Sequence, residues 1–125
     1  MSHYLANVRD LAFNLFEVLP VGAALDAGGY GDLDADTARS MLDEVARLAE
    51  GIIAESFVEG DRNPPVFKPD EHRITVSDQL VKTVRVVKDA EWWRVGLDER
   101  AGGTPAPAAL VWSTSSPGPR TRPAW

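Results

Sequence analysis

Apolar positions along this chain recur mostly every three or four residues, the spacing that puts them on one face of a helix. The first run is Val8, Leu11, Leu15, Val18 and Leu19, with Phe13 and Phe16 beside it. Asn7 precedes it with a side chain suited to an N-cap, and Asp10 adds a negative charge near the positive helix end. Pro20 and Gly22 are expected to end this helix, and Gly28-Gly29-Tyr30-Gly31 to make a flexible connection. The second run is the clearest. Behind Asp34 and Asp36, the residues Ala38, Met41, Leu42, Val45, Leu48, Ala49, Ile52, Ile53 and Phe57 form one stripe. Arg39, Asp43, Glu44, Arg47, Glu50 and Glu55 fill the opposite side, and Gly60 is expected to close the helix.

Asp61-Arg62-Asn63-Pro64-Pro65 should not be helical, because each proline removes a donor and restricts its predecessor. Arg73-Ile74-Thr75-Val76 alternates briefly and suits a short extended piece. Ser77 then caps a third helix with Leu80, Val81, Val84 and Val87 inward, expected to reach Glu91-Trp92-Trp93. Gly96-Leu97 and Gly102-Gly103 mark loops, and Pro107 suits the first position of a fourth helix. After Trp112 the pattern dissolves into Ser, Thr, Pro, Gly and Arg up to Trp125. The sum is an all-α fold, incomplete, with a disordered C-terminal tail.

Composition narrows the function classes. A chain of 125 residues with 44% hydrophobic and 26% charged residues suits one soluble globular domain. A net charge of −6 gives no basic footprint for nucleic acid. No apolar run approaches the roughly 20 residues of a membrane span, and no signal peptide is visible at the N-terminus, so a cytoplasmic location is expected. Zero cysteines exclude disulfides and thiolate metal sites. The charge is uneven: residues 1–99 carry ten basic and 19 acidic side chains, a net −9, while residues 100–125 carry +3 and no acid.

Few residues offer site chemistry. His3 and His72 are far apart in sequence and read as surface histidines rather than metal ligands. Gly28-Gly29-Tyr30-Gly31 lacks the Lys-Ser/Thr of a phosphate loop and reads as a linker. Asp43-Glu44 and Asp98-Glu99 are sequence neighbours that point apart on a helix, so they are solvated charges and not an acid/base pair. Trp92-Trp93 suits core packing, with an interface or a pocket wall as the other reading. The tail's Pro117, Pro119, Pro123, Arg120 and Arg122 suit either disorder or a polyproline ligand for a partner module.

Three loops carry a resemblance: Asp61-Arg62-Asn63-Pro64-Pro65-Val66-Phe67, then Ala90-Glu91-Trp92-Trp93-Arg94-Val95-Gly96-Leu97, then Gly102-Gly103-Thr104-Pro105. With them, residues 2 to about 112 resemble the N-terminal part of a bacterial acyl-CoA dehydrogenase. The opening Ser2-His3-Tyr4, Asn7-Val8-Arg9-Asp10 and Phe13-Asn14-Leu15-Phe16-Glu17 resemble the N-terminal extension of one subgroup, the large 3-methylmercaptopropionyl-CoA dehydrogenase-like enzymes. The resemblance implies an N-terminal helical domain, a middle β-domain holding FAD and a C-terminal helical bundle. It implies dehydrogenation of an acyl-CoA thioester: a carboxylate takes the α-proton while the flavin accepts the β-hydride. Homo-oligomers and an acyl-CoA substrate belong to the same expectation for full-length relatives.

No residue of this chain matches that family's catalytic carboxylate or main FAD-binding motifs. The resemblance therefore assigns no catalytic, cofactor-binding or metal-binding residue here, and leaves Trp92 or Trp93 at most one wall of the acyl pocket. The expected division is an extension helix and linker over 1–33, a partial helical domain over 34–112 and a tail over 113–125. The "GAN" element usual after the fourth helix is missing, and the acid-free tail suits GC-rich DNA read out of frame. A truncating frameshift near residues 112–116 is the expectation, giving an inactive fragment with exposed apolar surface. The alternative is a small non-enzymatic helical interaction protein with a Pro/Arg-rich tail.

Overall fold

The computed structural model describes residues 4–115; His3 and the Pro/Arg-rich stretch after Ser115 lie outside them. Six α-helices and one two-stranded hairpin follow one another along these residues: α1 (Val8–Phe13), α2 (Val21–Asp26), α3 (Ala35–Leu48), α4 (Ala54–Arg62), β1 (Val66–Lys68), β2 (Arg73–Thr75), α5 (Asp78–Asp89) and α6 (Ala108–Ser115). Among the described residues, no helix is long and apolar enough to cross a membrane.

Capping starts the helices where side chains predict. The Asn7 side chain accepts the Asp10 N–H at 3.1 Å, Asp34 accepts that of Thr37 at 2.7 Å, and Ser77 that of Leu80 at 3.3 Å. Each satisfies one of the N–H groups that a helix start leaves without a partner. Pro20 ends the first helical run as expected, since Leu19 before it is extended at φ −99°, ψ 133°; Gly22 does not share in that ending. One turn of wider π-helix (Asn14–Val18) closes α1, and Pro20 stands as the N-cap of α2, with Gly22 inside that helix. A proline before the first turn gives up only an N–H that had no helical partner.

The long second helix is bent. α3 passes through a π-turn (Ala49–Ile53) into α4, with Gly51 at φ −93°, ψ −109°, outside the helical region. The wider turn shifts the side-chain register, since each added residue rotates it by about 100°. Phe57, expected at the end of the buried stripe, is consequently 77% exposed. Gly60 does not close the helix, and Asp61 and Arg62 are its last two residues rather than loop; Asn63 is the C-cap and Pro64 prevents continuation. The Thr83 hydroxyl, buried on α5, donates to the Ile52 carbonyl within the bend at 3.2 Å. That bond turns Thr83 inward and leaves Val84, expected inward, 59% exposed.

Extended structure at Arg73–Thr75 matches the alternation, and its partner β1 was not foreseen. The strands pair antiparallel as Val66↔Thr75, Phe67↔Ile74 and Lys68↔Arg73. The core lies at the other end of the molecule. Leu15, Val21, Leu25, Leu33, Ala38, Leu42 and Leu110 form it, lined by Val8, Leu11, Phe16, Tyr30 and Met41. Leu110 is fully buried, so α6 is anchored by its first turn. Pro107 is the residue before α6, one position earlier than expected, and its carbonyl accepts the Leu110 and Val111 N–H groups. α6 also runs on through Ser113, Thr114 and Ser115.

Candidate functional site

Helix α5 stops short of the tryptophans. Its C-cap is Ala90, and Glu91 takes the left-handed conformation at φ 59°, its N–H donating to the Lys88 carbonyl at 3.0 Å. This left-handed residue turns the chain out of the helix. Trp92–Arg94 then make a single 3₁₀ turn. The next ten residues fold back: Thr104 N–H donates to the Arg94 carbonyl at 2.9 Å and Gly96 N–H to the Thr104 carbonyl at 2.8 Å. Inside this ring Asp98 caps a second short turn, accepting the Arg100 N–H at 2.8 Å.

Two glycines make that closure possible. Gly96 sits at φ +90°, where a Cβ would stand 2.7 Å from Val111 Cγ2 of α6. A Cβ on Gly103 would overlap the Leu97 Cβ and carbonyl. The glycine pattern of this loop thus has a steric cause, and it seats the tryptophan turn beside α6.

Trp92 is half-buried and Trp93 is 52% exposed. The Arg94 guanidinium lies over the Trp93 ring at 5.1 Å and binds Glu91 Oε1 through Nη2 at 2.9 Å. Trp92 Nε1 and Arg94 Nε are both buried, and neither has a hydrogen-bond partner among the described residues. A buried donor left unpaired costs about 1–3 kcal/mol, so this pair is the least satisfied polar feature described.

A second feature is an open groove of about 670 Å³ between α4 and the start of α5, lined by Glu55, Glu59, Asn63, Val76, Ser77, Asp78, Gln79 and Lys82. Gln79 Nε2 donates to Glu55 Oε2 at 3.4 Å and Asn63 Nδ2 to Glu59 Oε1 at 2.7 Å. Three carboxylates against one lysine make the groove electronegative. Glu55 and Glu59, four apart on α4, are the signal for it in the sequence, since that spacing puts two acids on one helix face.

The other expected candidates stay apart. His72 is the exposed left-handed residue of the hairpin turn, at φ 48°. Among the described residues no three His, Cys, Asp or Glu side chains gather as a metal site. Asp43 is exposed and Glu44 pairs with Arg47 at 2.7 Å. Asp98 pairs with Arg100 at 3.1 Å, and hydrogen bonds from the Arg100 side chain and backbone hold its carboxyl below the usual 3.8. The glycine turn at 28–31 follows α2, not a strand, with Gly28 and Gly31 at positive φ.

No protein-family model matches the chain. Over 113 residues, 90% of its length, it is 58% identical to the broad-specificity linear acyl-CoA dehydrogenase FadE5 of Mycobacterium tuberculosis. The chain is homologous to part of an acyl-CoA dehydrogenase. It spans about a fifth of that relative, 18% of its length. A mostly helical fold suits a helical piece of such an acyl-CoA dehydrogenase. FAD carries a doubly negative pyrophosphate, which the carboxylate-lined groove would repel. The glycine turn between α2 and α3 lacks the strand-to-helix setting that cradles phosphate. Neither feature fits the flavin of an acyl-CoA dehydrogenase, nor the phosphates of coenzyme A.

Proposed function

We propose that this chain is the N-terminal helical part of an FAD-dependent acyl-CoA dehydrogenase of the large 3-methylmercaptopropionyl-CoA dehydrogenase-like subgroup. In that reading the rest of such an enzyme supplies the flavin and the catalytic carboxylate, and acts in the cytoplasm on acyl-CoA as an oligomer. These residues bind neither cofactor nor metal alone, and the 125-residue polypeptide turns nothing over. Their part is to shape and wall the acyl pocket, with the exposed ring of Trp93 as the surface offered. The observation that carries the reading is the 58% identity over 113 residues. The steric need for glycine at Gly96 and Gly103 adds to it, since these residues belong to the loops that carry the resemblance.

Residues 1–33 are then the extension and its linker, 34–112 the partial helical domain, and 113–125 a tail read out of frame. Sequencing the native locus downstream of codon 100 and translating three frames tests this. The reading expects a flavin-binding domain and a helical bundle in a shifted frame. Their absence from every frame would overturn it and leave the small helical interaction protein.

A further inference from the structure

Glu50 is the second residue of the π-turn (Ala49–Ile53) between α3 and α4, and it is half-buried. Its Oε1 accepts the Ala6 N–H, 44 positions away in sequence, at 2.8 Å. The segment before α1 meets the turn with alternate residues inward: Tyr4 and Ala6 are half-buried, and Leu5 between them is 80% exposed. Burial, and then the negative charge of Glu50, raise the Tyr4 hydroxyl above its ordinary 10.0, so the carboxylate lies close to both inward residues. Two residues further along the turn, the Ile52 carbonyl accepts the Thr83 hydroxyl of α5 at 3.2 Å. One five-residue turn is thus tied to residues far before it and far after it. We propose that residues 4–6 form a strap that holds the bend between α3 and α4 through Glu50, and so keeps α4 and α5 in place.

Such a tie matters most where burial holds least. Helix α4 buries no side chain, and α5 buries only Thr83. A regular helix would aim α4 by its own ladder of hydrogen bonds. Here Gly51, at φ −93°, ψ −109°, breaks the helical geometry, so groups outside the ladder set the course that α4 takes. A carboxylate that accepts a main-chain N–H makes a charge-assisted bond, about twice as strong as one between neutral groups. The strap therefore acts at a distance: its release loosens α4 and α5 and leaves the core of Leu15, Leu25, Leu42 and Leu110 closed.

The test is amide hydrogen exchange, residue by residue, on the full 125-residue chain and its variants. Glu50→Ala removes the acceptor, and Glu50→Gln keeps an oxygen in its place. A chain that begins at Asn7 removes the strap and leaves every residue of the turn as it is. Glu50→Ala and the shortened chain are each expected to speed exchange in Ala54–Arg62 and Asp78–Asp89 about tenfold. The Leu42 and Leu110 amides should change less than about twofold, and Glu50→Gln should exchange more slowly than Glu50→Ala. Exchange in α4 and α5 that stays at the wild-type rate in either variant would overturn the strap. An equal rise at Leu42 and Leu110 would overturn it too, because the loss would then belong to the whole chain. If Glu50→Ala does not fold, the shortened chain decides alone.

Discussion

At the residue scale, glycines in the loop after Trp92 do different work although they look alike in sequence. Gly102 sits at φ +75° with open space around it, so a methyl there meets only the backbone cost of the left-handed region. Gly103 has Leu97 against it, and a methyl must displace backbone. Gly103→Ala is therefore expected to destabilise the chain by about 2 kcal/mol or more, and Gly102→Ala by about 1 kcal/mol, as read by urea unfolding. Equal losses would show that conformation alone, not close approach, selects glycine at both positions. Sequence marked both as loop residues and could not separate them, because the distinction depends on which atoms the fold brings up against each. The same holds for Trp92 and Arg94: their unpaired donors appear only when the turn is closed and water is excluded.

At the element scale, the legible features were local. Asn7, Asp34 and Ser77 cap the helices that their side chains predict, because a cap is written within four residues. The bend at Gly51 was hidden by the continuous stripe of apolar residues that runs through it; Thr83, 31 positions away, bonds the Ile52 carbonyl there. Capping also sets a pH dependence. Hydrogen bonds from the Thr37 hydroxyl and backbone N–H lower the Asp34 pKa below 3.8, and Asp98 is lowered by Arg100. Both groups bind protons more weakly folded than unfolded, so their contribution is complete above about pH 4. It is lost as pH falls through their depressed folded values. The melting temperature should thus show no fall from these groups between pH 7 and 5, and a fall below pH 4. Asp34→Asn keeps an N-cap without the charge and should flatten part of that acid fall; an unchanged profile would contradict the assignment.

At the scale of the whole molecule, the described residues are lopsided. One end has a core in which α6 plants Leu110 against α1, α2 and α3, whereas α4, the hairpin and α5 hold a single buried side chain, Thr83. The sequence showed helical stripes plainly but not which of them would be covered, since coverage depends on which elements the fold brings together. On the function proposed above, a stretch that matches 18% of a relative carries faces shaped for the rest. The most direct test is a chimera in which the 113 matched residues of this chain replace their counterparts in the Mycobacterium tuberculosis relative, assayed for dehydrogenation of a linear acyl-CoA. If these residues are an acyl-CoA dehydrogenase part, the chimera folds, retains flavin and turns over substrate. A folded, flavin-bearing chimera with no activity would contradict that account.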